Sequence, residues 1–148
     1  MNELLLSQVE EILSEEDRIA ALCNLTALLY QEIPNINWVG YYFYRKGKLI
    51  LGPFQGKVAC TRIDVGKGVC GSSFAKKLLL NVADVHEFPG HIACNSASNS
   101  ELVVPLIIRN ECVGVLDIDS PLFNRFELED EEFFLRVAEL VSKKIAER

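Results

Sequence analysis

Two aspartates inside a β-strand, with three cysteines upstream of them, are the residues of this chain best suited to chemistry. The segment ELVVPLIIRNECVGVLDIDS, which begins at Glu101, reads as a hairpin whose second strand carries Asp117 and Asp119. Asp is a poor strand residue. Residues two apart in a strand point to the same sheet face. A tight turn near Asn110 folds residues 111–119 back on 101–109, a register that brings Glu101 within a residue or so of Asp119. Three carboxylates then gather at one end of one hairpin, over an apolar floor of Val113 and Val115. Like charges crowded together raise at least one pKa and keep a proton available near neutrality. They also suit an ammonium group. The plainer alternative is a face open to solvent, or acids paired with Arg109, Arg62 or lysines.

The cysteines divide into two groups. Cys23 falls in a helical apolar stripe and reads as a buried small hydrophobe. Cys112 lies beside Val113 in the hairpin, facing opposite to Asp117, and reads as packing. Cys70 sits between glycines at the start of a helix, where the helix dipole depresses a thiol pKa. Cys94 lies in a long polar loop, three residues after His91, and Cys60 stands in an extended segment next to Thr61 and Arg62. Any two of these last three thiols could form a disulfide, and spacing does not say which. None of the spacings is CxxC and the chain has only two histidines, so no metal site and no cofactor are expected. Gly66-Lys67-Gly68 lacks the spacing of a phosphate loop. His86 and His91 read as loop residues, and Trp38 with its neighbouring tyrosines as core, with one ring free to line a pocket.

The elements that must hold these residues follow from pattern. Leu5, Val9 and Ile12 share one helical stripe, and Ile19, Leu22, Cys23, Thr26 and Tyr30 a second, broken by Pro34 and Asn35. Ser14 and Asp17 are a capping signal before the second helix. WVGYYFYR, a turn at Gly47 and KLILGPFQG form a hairpin; KVACTRID is a third extended piece. SSFAKKLLL reads as a short helix, NVADV as a short strand, and HEFPGHIACNSASNS as a long surface loop. Phe134, Val137, Ala138, Val141 and Ile145 mark a last helix. The sum is α+β: one domain over 1–148, a mainly antiparallel sheet, and N- and C-terminal helices packed on one face.

Composition bounds the function. A chain of 148 residues, 49% of them hydrophobic, forms a sizeable core. A net charge of −6 without a basic cluster argues against nucleic acid. No apolar run reaches the length of a membrane span, and the N-terminus carries acids where a signal peptide carries a basic region, so a cytoplasmic location is expected. Oligomeric state is left open, a homodimer included.

Four segments taken together resemble a known family. NWVGYYFY, LGPFQGKVACTRIDVGKGVCG, ADVHEFPGHIACNSASNSELVVPL and GVLDIDSP are similar to the free methionine-(R)-sulfoxide reductases, enzymes built on a single GAF domain. The resemblance runs from about Trp38 to the final helix. It implies a GAF-like fold and reduction of the R epimer of free methionine sulfoxide, not of protein-bound residues. It implies Cys94 as the catalytic cysteine, Cys60 as its disulfide partner, and Cys70 as a third thiol that substitutes or assists. It implies that Glu101, Asp117 and Asp119 hold the substrate and protonate its oxygen, and that Trp38 walls the methyl group. The chemistry then runs through a sulfenic acid on Cys94, a disulfide with Cys60, and reopening by a thioredoxin-like reductant. Two rival readings are a GAF-type ligand sensor and a redox sensor whose disulfide is a signal.

Overall fold

A computed structural model describes residues 2–90 and 97–147. Helices α1 (Glu3–Leu13) and α2 (Arg18–Glu32) lead into a hairpin of β1 (Trp38–Arg45) and β2 (Lys48–Gly56). Then come β3 (Arg62–Asp64), α3 (Gly68–Lys76), β4 (Leu80–Val82) and a single 3₁₀ turn at Val85–Glu87. The hairpin β5 (Ser100–Ile108) and β6 (Glu111–Ser120) precedes α4 (Leu128–Ala146). The strands form one sheet in the order β3-β2-β1-β6-β5-β4, with every neighbouring pair antiparallel. This is the expected α+β architecture.

Local signals account for most boundaries. Asp17 caps α2, its side chain accepting from the Ala20 amide. Ile33, extended ahead of Pro34, ends that helix, and Asn35 with φ 60° turns the chain beyond it. Arg109 and Asn110 both have positive φ, the conformation a two-residue hairpin turn requires. In β2, Pro53 falls where the register with β1 slips, at a bulge, the place where a strand tolerates a missing amide.

The two sheet faces carry different layers. On one, α1, α2 and α4 bury Leu25, Leu29, Phe134 and Val141 against Tyr41, Leu102, Leu116 and Ile118. On the other, α3 packs Val69 and Cys70 against Trp38, Tyr42, Val103 and Val115. α3 comes close because Gly71 has no side chain: a Cβ there would lie 2.5 Å from the Asp64 carbonyl oxygen.

Four expectations are corrected. The buried stripe of α2 is Ala21, Leu22, Leu25, Thr26, Leu28 and Leu29, whereas Ile19 is 69% exposed, Tyr30 is 40% exposed and Cys23 is exposed. Four leucines outweigh the Ile19–Cys23–Tyr30 line, and the helix turns them inward. The third extended piece is a strand only over Arg62–Asp64, and α3 begins at Gly68 rather than after Gly71. Finally, the β5–β6 register slips between Leu106 and Ile107. Past this bulge the faces exchange: Val113 packs with the larger core, and Cys112 borders a recess with Tyr44 and Phe74 on the α3 side. Val115 packs in the smaller core under α3, and Val113 does not join it there.

Candidate active site

Three strands place the acidic residues and the indole in a line. Asp119 on β6 lies opposite Glu101 on β5 and opposite Trp38 on β1. One step along, Asp117 lies between Val103 and Gly40. The sheet alternation turns Trp38, Asp117, Asp119 and Glu101 to the α3 side, where they line a cavity with Tyr42 and Cys70. Gly40 clears room for the indole, since a Cβ there would meet Trp38 Cη2 at 2.8 Å. The Trp38 ring lies between Phe54, centroid distance 5.3 Å, and Tyr42, at 6.0 Å, and donates from Nε1 to the Lys57 carbonyl.

The acids are neither solvated nor paired with cations. Asp117 is 4% and Asp119 7% exposed. Among the described residues no Lys or Arg forms an ion pair with Glu101, Asp117 or Asp119. Asp117 Oδ1 and Asp119 Oδ1 are buried without a hydrogen-bond partner among the described residues. Loss of water, then the neighbouring carboxylates, push both aspartates well above the usual carboxylate range. The direction is that expected for crowded acids; pairing with Arg109 or Arg62 is not seen among the described residues.

Cys70 overturns one expectation. It lies in the first turn of α3, but its thiol is raised well above its ordinary value. Burial is the main cause, followed by Asp117, Glu101 and Asp119, and both outweigh the dipole of a short helix. Its Sγ is 3.7 Å from Glu101 Oε2. Cys60 packs at the edge of the same layer, its carbonyl accepting from the Tyr42 hydroxyl at 2.9 Å. Cys60 is disulfide-bonded, whereas Cys23, Cys70 and Cys112 carry free thiols. Cys94 and His91 lie outside the described residues.

Of the other candidates, Lys67 and Gly68 line the cavity, but their segment is closed on its own backbone. The amides of Gly66, Lys67 and Gly68 donate to the carbonyls of Gly71, Asp64 and Gly90, so this segment offers no open cradle for phosphate. His86 sits on the surface against Asp84, Nδ1 to Oδ1 2.8 Å. Several lining residues were not singled out by number from sequence, Tyr42, Ser98 and Ile63 among them. Tyr42 shares the face of Trp38 by alternation, a signal that was available. Ser98, whose hydroxyl donates to Asn37 Oδ1, lies in a loop where no periodicity marks it.

Comparison with known proteins agrees with this geometry. The GAF domain family model matches residues 11–145. The chain is 49% identical to the free methionine-R-sulfoxide reductase of Escherichia coli, covering 89% of this chain and 80% of that one. The reduced form of fRMsr from Staphylococcus aureus superposes with a TM-score of 0.92 at 44% identity, over 97% of this chain and 94% of that one. The free methionine-R-sulfoxide reductase of Neisseria meningitidis, in complex with its substrate, superposes with a TM-score of 0.91 at 41% identity, over 95% and 85%.

Proposed function

We infer that this chain, which belongs to the GAF domain family and within it to the free methionine-(R)-sulfoxide reductases, reduces free methionine-(R)-sulfoxide to methionine. The observation that carries this reading is the row Trp38–Asp119–Glu101 with Asp117 beside it: an indole next to buried carboxyls that no described cation neutralises. The substrate's α-ammonium supplies the missing positive charge. A peptide nitrogen has no such charge, which restricts the site to the free amino acid.

In this reading Cys94 is the nucleophile. Its thiolate attacks the sulfoxide sulfur while a protonated carboxyl, assigned to Asp119, gives its proton to the sulfoxide oxygen. The hydroxyl then passes from the substrate sulfur to Cys94 Sγ as the new sulfur–sulfur bond breaks; methionine departs with that electron pair, reduced by two electrons, and Cys94 is left oxidised as a sulfenic acid. The Cys60 thiol condenses with it, water leaves, and a Cys60–Cys94 disulfide forms. A thioredoxin-like dithiol then reopens the bridge by exchange and is itself oxidised. The disulfide-bonded state of Cys60 supports this pairing. Glu101 and Asp117 hold the ammonium, and Trp38 bounds the methyl end. Cys70, kept protonated by burial, assists beside Glu101 instead of attacking first. Residues 1–148 act as one catalytic domain, working in the cytoplasm where such reductants are found.

The test is to incubate wild type and Cys94→Ser with free methionine-(R)-sulfoxide and dithiothreitol and to follow methionine. Wild type is expected to produce methionine and Cys94→Ser none. N-acetyl-methionine-(R)-sulfoxide should be a poor substrate for wild type, since a charged hydrogen bond is worth about 1.5–3 kcal/mol. An inert wild type, or an active Cys94→Ser, would sink the reading.

A further inference from the structure

The acidic cavity is also a metal-ligand set. Cys70 Sγ, one carboxylate oxygen of Glu101 and one of Asp117 all lie within 4.8 Å of one another. The Cys70–Glu101 separation is 3.7 Å. A tetrahedral zinc ion, at about 2.3 Å from sulfur and about 2.1 Å from oxygen, would set that separation at roughly 3.6 Å. The other two separations are no more than 4.8 Å, so closing them on an ion takes shifts on the order of an ångström. A second observation points the same way. Asp117 and Asp119 line the cavity on side chains more than nine-tenths buried, and the Oδ1 of each has no hydrogen-bond partner among the described residues. Buried oxygens that lack a partner among the described residues, beside a free thiol, suit a cation.

We propose that Cys70, Glu101 and Asp117 bind one borderline-soft divalent cation, Zn²⁺ or its mimic Co²⁺, with Asp119 adjacent, and that the ion takes the place of the substrate ammonium. One sulfur among few oxygens selects this class over Mg²⁺ or Ca²⁺, which demand more oxygen ligands. On binding, the Cys70 thiol and any protonated carboxyl release their protons to solvent, and no electrons move. The ligands come from α3, β5 and β6, so no sequence spacing announces them. The displacement of substrate rests on the function proposed above; the binding itself does not.

The experiment titrates Co²⁺ into the full-length protein in its oxidised form, so that Cys60 offers no thiolate, and follows the near-ultraviolet sulfur-to-cobalt band. One equivalent should generate the band and Zn²⁺ should remove it. Cys70→Ser should lose the band, whereas Cys112→Ser and Cys23→Ser should keep it. Glu101→Gln, at a half-buried position, should bind at least about 10-fold more weakly. Circular dichroism and melting check that each variant folds; if Cys70→Ser does not fold, Glu101→Gln decides. No band in wild type, a band that survives in folded Cys70→Ser, or unchanged affinity in Glu101→Gln would overturn the site. Zn²⁺ should then inhibit methionine formation competitively with the sulfoxide. Binding without competition would overturn the shared position. A metal-free protein with no reductase activity would remove the functional reading and leave the metal site standing.

Discussion

Strand β6 faces two cores that follow different rules. Leu116 and Ile118 point into the layer formed with α1, α2 and α4, and Asp117 and Asp119 alternate with them into the layer under α3. In the first layer the buried polar groups are satisfied locally. Tyr41 donates its hydroxyl to the Leu22 carbonyl, Thr26 to Cys23, and Ser142 to Ala138. In the second, two carboxylate oxygens have no partner among the described residues. A buried acid of this kind costs stability. The larger core offsets it, because each fully buried aliphatic or aromatic side chain contributes about 1.5–3 kcal/mol. One face holds the fold, and the other keeps an unmet electrostatic demand that a ligand can satisfy.

Changing one face at a time breaks or sharpens that contrast. The largest effect is expected from Asp119→Asn, which keeps the shape but cannot supply a proton. Its kcat/KM should fall by about 10²–10⁴-fold, while its Tm stays level or rises because a buried, unpaired acid is gone. Steady-state kinetics beside thermal melting tests this; a melting loss of several degrees would show that Asp119 supports the fold. Phe134→Ala on the opposite face should do the reverse. It should lose about 3–5 kcal/mol in denaturant unfolding, with turnover per folded molecule close to wild type.

A smaller effect should appear in the pH dependence of stability. Asp117 and Asp119 bind protons more tightly folded than unfolded, so the native state carries more protons above the unfolded pKa of about 4. Their stabilising contribution is complete below that pH and is lost as pH rises through their folded values. The Asp117→Asn/Asp119→Asn double variant should therefore gain on wild type between about pH 4 and neutrality. Melting curves of both proteins across that range check the sign; a gain by wild type would mean ionised, paired acids. The smallest effect is expected from Cys23→Ser. That exposed position should shift stability by no more than about 0.5 kcal/mol and leave turnover unchanged.

What could be read from the residues alone was local. The turn at Arg109–Asn110 and the two-residue alternation of a strand put Asp117 and Asp119 on one face and Glu101 opposite Asp119. The amphipathic pattern of α4 likewise picked out Phe134, Val137, Ala138 and Val141 as buried. The four segment motifs carried the family resemblance, and with it the thiol assignments that residue spacing left open. Tertiary structure decided the rest. Only the strand order brings β1 beside β6 and so sets Trp38 against Asp119. Only the bulge near Val113 turns Cys112 to the α3 side. Only the approach of α3 buries Cys70 against Glu101 and raises its thiol instead of activating it. Turns and alternation are short-range geometry written in neighbouring residues. Burial and charge coupling depend on which distant segments come to share a volume, and that is settled when the whole chain packs.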